Sequence, residues 1–138
     1  MKKRVWLTRA LTFGMAVLSL PTLALAQAIS VQPGDPGELT DAGVVVPVTV
    51  ACMTNSTGAD LEVQLVQGSA GGEGDLDLAP GECGSTPQTV SVLVRPAPNS
   101  PSFSPGEAQR AQAHLDACDS SHQNCNILID VQDIDVID

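Results

Sequence analysis

The chain has no tyrosine, one tryptophan and two phenylalanines among 138 residues. Trp6 and Phe13 fall within the first 26 positions, which leaves Phe103 as the only aromatic side chain beyond them. Sugar-binding modules and single-strand nucleic-acid binders stack their ligands on aromatic faces. One Phe offers no such platform and is better placed as a plug in a core. Positive charge is equally scarce. Lys2, Lys3, Arg4 and Arg9 precede residue 27, so only Arg95 and Arg110 stand against all 16 acids in 27–138, a net charge of −14. That surface repels nucleic acid and anionic lipid head groups, and neither is expected as a partner. It suits solubility, a salty medium or cationic partners. Beyond the N-terminal region no stretch holds 18 consecutive apolar residues, so no membrane span is expected.

The N-terminus has the composition of a bacterial export signal. Its basic start runs into an apolar stretch from Leu11 to Leu20, Pro21 breaks the stretch, and Ala24-Leu25-Ala26 supplies a small-x-small cleavage site. The reading is a signal peptide over 1–26, cleaved after Ala26, and one domain over 27–138 that is secreted or periplasmic. No cysteine sits at the cleavage point to carry a lipid.

Four cysteines follow the signal: Cys52, Cys83, Cys118 and Cys125. In an oxidising compartment an even count implies two disulfides, and four cysteines allow three pairings. Cys52–Cys83 with Cys118–Cys125 is favoured, because the second pair brackets the polar turn Asp119–Asn124 and clips a hairpin. The rival joins Cys52 to Cys118 across two facing sheets. Cys118, His122 and Cys125 also have a loose ligand spacing. Export favours the disulfide, and no metal is expected.

Apolar residues alternate with period two along most of the chain, the signature of half-buried strands. Val46, Val48, Val50 and Cys52 share one face. Leu61, Val63 and Leu65 share another, as do Val90, Val92 and Val94. Ala28–Gln32 reads as a short first strand, and Pro47 implies an edge or a bulge. Gly68–Gly74 reads as a flexible turn, with Leu76 and Leu78 inward after it. Ala97–Pro105, with three prolines, reads as a long connection. Residues 107–117 have a helix-like start at Ser104, Pro105 and Glu107. The alternation of Ala111, Ala113, Leu115 and Ala117 with polar residues predicts a strand instead. Ile127, Ile129 and Val131 are expected inward, with a bulge at Gln132-Asp133 shifting the pattern to Ile134 and Val136. Turns every 8–12 residues and about seven short strands give an all-β class: an immunoglobulin-like antiparallel β-sandwich with two disulfides.

The order of these elements resembles a loosely defined group of small exported bacterial proteins, common among actinobacteria, with an immunoglobulin-like sandwich. V-x-V-x-C at 48–52, L-x-V-x-L-x-Q at 61–67, Cys83-Gly84, V-x-V-x-V at 90–94, Phe103–Ala108 and the alanine strand ending in Cys118 carry the resemblance. It implies the fold and no specific activity. The length, acidity and hairpin cysteines also resemble the neocarzinostatin-like apoproteins, which carry an apolar chromophore. The aromatic cleft residues of that family have no counterpart here.

Chemistry is sparse. His114 and His122 are the only histidines, and no nucleophile motif surrounds Ser120 or Ser121, so catalysis is not expected. Asp130, Asp133, Asp135 and Asp138 crowd the C-terminus, and Asp75 and Asp77 form a smaller pair, without a D-x-D-x-D-G calcium loop. A charged outer face that discourages edge pairing accounts for them. The sequon Asn55-Ser56-Thr57 is discounted because the signal is bacterial in type. No catalytic, metal or ligand-binding residue is assigned, and no cofactor is expected. The expected role is a non-enzymatic structural or protein-interaction module of the envelope or medium. The alternatives are a carrier of a small apolar ligand, and a protease inhibitor presenting the Ala97–Pro105 loop.

Overall fold

The computed structural model describes residues 29–138. The export signal expected over 1–26 lies outside the described residues. Eight strands occur in order: β1 (Ser30–Pro33), β2 (Gly37–Thr40), β3 (Gly43–Ala51), β4 (Ser56–Gln67), β5 (Ala70–Leu78), β6 (Gln88–Pro96), β7 (Gly106–Asp119) and β8 (Cys125–Ile137). No helix forms among the described residues, so the alanine segment is strand β7, as its alternation predicts.

The strands do not divide into two separate sheets. Their hydrogen-bonded order is β1-β3-β2-β8-β7-β4-β5-β6, and β3 also pairs with β6. The ladder thus closes through β3, β2, β8, β7, β4, β5 and β6 into a seven-stranded barrel, with β1 lying along β3. This corrects the expectation of two facing sheets, and two strands account for it. β2 pairs antiparallel with β3 and, at Gly37 and Glu38, parallel with Val136 and Ile137 of β8. β5 runs the length of β4 and also pairs Gly72 with Pro96 and Glu73 with Arg95. A Cβ at Gly72 would collide with the Arg95 carbonyl oxygen, and one at Gly74 with that of Leu93. Of the segment expected to be a flexible turn, Gly68 does lie in the turn, whereas Gly71, Gly72 and Gly74 are strand residues, the last two letting β5 approach β6.

Valines of β3 and β6 face alanines and leucines of β4 and β7. Val44, Val46, Val48, Val50, Leu65, Ala108, Ala111, Ala113, Leu115 and Ala117 are fully buried. One inner row runs in register from Leu76 through Leu61 and Leu115 to Leu128. Each large apolar side chain taken out of water contributes about 1.5–3 kcal/mol. Phe103, 6% exposed, plugs this core from the connection 97–105, as expected of the lone aromatic.

β3 has neighbours on both sides, but on the β1 and β2 side its pairing is interrupted at Pro47, in keeping with the edge or bulge expected there. The irregularity sits opposite it: β1 pairs down to Val48 and β2 resumes at Val45, which leaves Gly34–Gly37 facing Val46 and Pro47. Pro47 has no N–H for that gap, while its carbonyl accepts from Gly34 N at 2.6 Å. One local expectation needs correction, that for β8, which carries no slip. Leu128, Asp130, Gln132, Ile134 and Val136 fall on one face, and the register shift lies on β7 between Ala108 and Ala111. Ile127, Ile129 and Val131 therefore point outward and are 60%, 59% and 48% exposed.

Candidate functional site

The four cysteines form two bridges, Cys52–Cys83 and Cys118–Cys125, with Cα separations of 5.3 and 4.0 Å and no free thiol. Cys118 and Cys125 face each other across the β7–β8 ladder, so neither is a metal ligand. No group of three or more His, Cys, Asp or Glu side chains is placed to hold a metal ion among the described residues. The bridges fit an oxidising compartment. No described helix is long and apolar enough to cross a membrane.

His122 and the serines beside it lie in a loop organised by Asp119. Asp119 is 7% exposed and the only buried charged residue among those described. Its Oδ1 accepts from Ser121 Oγ at 2.6 Å and Ser121 N at 3.0 Å, and its Oδ2 accepts from Asn124 Nδ2 at 2.6 Å. The Ser121 hydroxyl and the Asn124 amide hold the carboxyl down at about 2. Ser121 is thus committed to Asp119, not to His122. A depressed folded pKa stabilises above the unfolded value of 3.8, and that contribution is lost as pH falls through about 2. Asp119→Asn is expected to lower stability at neutral pH and to shrink the acid-induced loss between about pH 4 and 2. Urea titrations of both proteins across that range measure it. Parallel acid limbs would remove the role given to this carboxylate.

The C-terminal aspartates do not converge. Asp133 and Asp135 lie on the outer face of β8, and Asp130 is half-buried on the inner one, where it accepts from Gln132 Nε2 at 2.9 Å. Asp135 N donates to Asp35 Oδ1 at 2.7 Å. The acidic concentration that does form is across three strands, β5, β4 and β7, and it is not evident in the sequence. Strand register places Asp77, Asp60, Asp116 and Ile127 in one outer row. Asp75, Glu62, His114 and Ile129 make the next, followed by Glu73, Gln64, Gln112 and Val131. Like charges directly opposite on a sheet are destabilising. The carboxyl of Asp60 is accordingly raised above its ordinary range, by desolvation first, then by its hydrogen bond to Asp77 and repulsion from Asp77 and Asp116. Asp116 Oδ1 and His114 Nε2 are shielded and have no hydrogen-bond partner.

One flank of these rows is the apolar stripe of β8. The second edge of β8 pairs only at Val136 and Ile137, with β2, so among the described residues no strand is hydrogen-bonded to Asn126–Asp133 on that side, while β1 packs near β8 without pairing with it. A cleft of about 460 Å³ opens there between Ile29, Met53, Asn55, Asn126 and Leu128. A second, about 390 Å³, lies nearer the β2 end and is lined by Gln32, Asp35, Gln132 and Asp133 among others.

The Ala97–Pro105 connection is tied down. Ala97 N donates to Gly71 O at 2.9 Å, and Gly71 N donates to Ser100 Oγ at 2.9 Å. Gln67 clamps Ser104, its Nε2 donating to Ser104 O at 2.7 Å and its Oε1 accepting from Ser104 N at 2.9 Å. Compared with known protein families and with curated proteins, the chain matches none.

Proposed function

We propose that this chain is an exported, non-enzymatic protein-interaction module of the cell envelope or medium, and that it engages its partner along β8. The observation that carries the reading is the run of Ile127, Ile129 and Val131 exposed on a strand with an unpaired edge. Proteins normally blunt such an edge with charge, a bulge or a covering segment. On β8 the outward charges Asp133 and Asp135 lie only toward the β2 end. Covering the three apolar side chains would gain about 1.5–3 kcal/mol for each one fully buried. An unpaired edge of this kind suits strand addition, in which main-chain hydrogen bonds give affinity and alternate side chains give specificity. The pairing of β3 with β6, and of β7 with both β4 and β8, supports an immunoglobulin-like arrangement whose two halves are joined by β2 and β5.

A photo-crosslinking side chain at position 129, in the full chain expressed by its own host, tests this. Adducts are expected there and not from the same group at Ser91, which is exposed on β6. Equal labelling at the two sites, or none at 129, would overturn the reading.

A further inference from the structure

We infer that the partner segment is basic and amphipathic, an extended strand that lies along β8 with apolar residues turned toward the barrel and Lys or Arg turned outward. The inference rests on the interaction reading above and specifies its chemistry. Three features of one region converge on it. Alternate residues of an added strand point to opposite faces. Those turned inward meet the cleft of Ile29, Met53 and Leu128, which is apolar apart from two asparagines. Those turned outward lie beside Ile127 and Ile129, which no short polar side chain would cover well. Lys and Arg would: their methylene stems pack on apolar surface while the charged head reaches past it.

Beyond the isoleucines stand His114 and Asp116 of β7, then Glu62 and Asp60 of β4, then Asp75 and Asp77 of β5. From the added strand to β7 is two strand spacings, about 10 Å. Asp116 lies there, its Oδ1 shielded and without a hydrogen-bond partner. A cation entering these rows also relieves the repulsion among Asp77, Asp60 and Asp116. A second copy of this chain is a poorer occupant. Each copy would carry −14 over residues 27–138, and no lysine follows residue 26 to meet the partner's acids.

The test uses the processed, oxidised protein and labelled synthetic decamers: alternating Lys–Val, alternating Glu–Val, and a Lys block followed by a Val block. Fluorescence anisotropy is expected to show the alternating Lys–Val peptide binding at least about tenfold tighter than Glu–Val, with affinity falling as salt is raised. The block peptide, with the same composition and no alternation, is expected to bind about as weakly as Glu–Val. Ile127→Thr with Ile129→Thr should weaken the Lys–Val peptide about tenfold, and Asp60→Asn with Asp116→Asn several-fold. All four substitutions are on the outer face, and circular dichroism checks that the variants fold.

Equal binding of Lys–Val and Glu–Val, still lost in the isoleucine variant, would overturn the basic partner and leave docking on β8 standing. Binding indifferent to the isoleucine substitutions would overturn both. Failure of wild-type protein to bind the Lys–Val peptide would overturn the basic partner, with crosslinking at position 129 deciding the interaction reading independently. Sedimentation showing a dimer that the isoleucine substitutions dissociate would make the occupant a second copy and overturn the basic partner.

Discussion

Replacing Cys52 and Cys83 together by alanine is expected to cost about 3–4 kcal/mol of folding stability, against about 2 kcal/mol for the same change at Cys118 and Cys125. The two bridges differ in what they constrain. Cys52–Cys83 spans 31 residues and ties the end of β3 to the β5–β6 connection, segments far apart in the chain. Both sulfurs belong to the core, Cys52 fully buried and Cys83 2% exposed, and Cys52 N donates to Gly84 O at 2.8 Å. Cys118–Cys125 spans seven residues of a hairpin that β7–β8 pairing and the Asp119 hydrogen bonds already close. Longer closed loops lose more unfolded-state entropy, so the first bridge contributes more. A domain of this size has about 5–15 kcal/mol in total, which makes the first loss visible as a large drop in denaturation midpoint. Guanidinium titrations of the two double variants decide it. A larger loss from the hairpin pair would mean that the β5–β6 connection holds its place without the sulfur link.

The valine and alanine strands were legible in the sequence because their information is local. Val46, Val48 and Val50 alternate and are fully buried, and Ala111, Ala113, Leu115 and Ala117 did the same on β7 against a helix-like start. What escaped detection depended on partners distant in the chain. β8 has apolar residues on both faces, odd-numbered from 127 to 131 and even-numbered at 128, 134 and 136, so alternation alone did not choose a side. A one-residue shift in pairing exchanges every side chain between core and solvent. The apolar pattern of 127–136 places the shift on β8, whereas β7 carries it. The three-residue step from Ala108 to Ala111, both fully buried, is its local trace. The acidic rows were equally hidden. Asp60, Asp77 and Asp116 lie far apart in sequence and become neighbours only through the registers of β4 with β5 and β7. Asp133 and Asp135 share the outer face of β8, whereas Asp130 belongs to the inner row.

Gly74→Ala is expected to destabilise the fold by about 3 kcal/mol and to open the barrel at one seam. The physical reason is contact, not backbone conformation. The new methyl group would overlap the Leu93 carbonyl oxygen and crowd Val92 Cγ1, 3.2 Å away. Neither the β6 backbone nor the buried Val92 is a flexible side-chain end that can swing aside. Relief requires β5 and β6 to separate, and they are joined in register only at Gly72–Pro96 and Glu73–Arg95. Gly71→Ala is the matched control, because its methyl would meet only Leu65 O at 3.8 Å, an ordinary contact. Native-state hydrogen exchange should show β5 and β6 amides losing protection in Gly74→Ala while β7 and β8, paired along nearly their whole length, keep theirs. The stability difference between the two variants comes from urea titration. If both behave alike, the barrel is not closed through β5 and β6, and the glycines of β5 need another explanation. The same variant bears on the outer surface. Asp75 and Asp77 are held opposite Glu62 and Asp60 by β5, so a β5 loosened from β6 would spread the acidic rows while Ile127 and Ile129 stay in place.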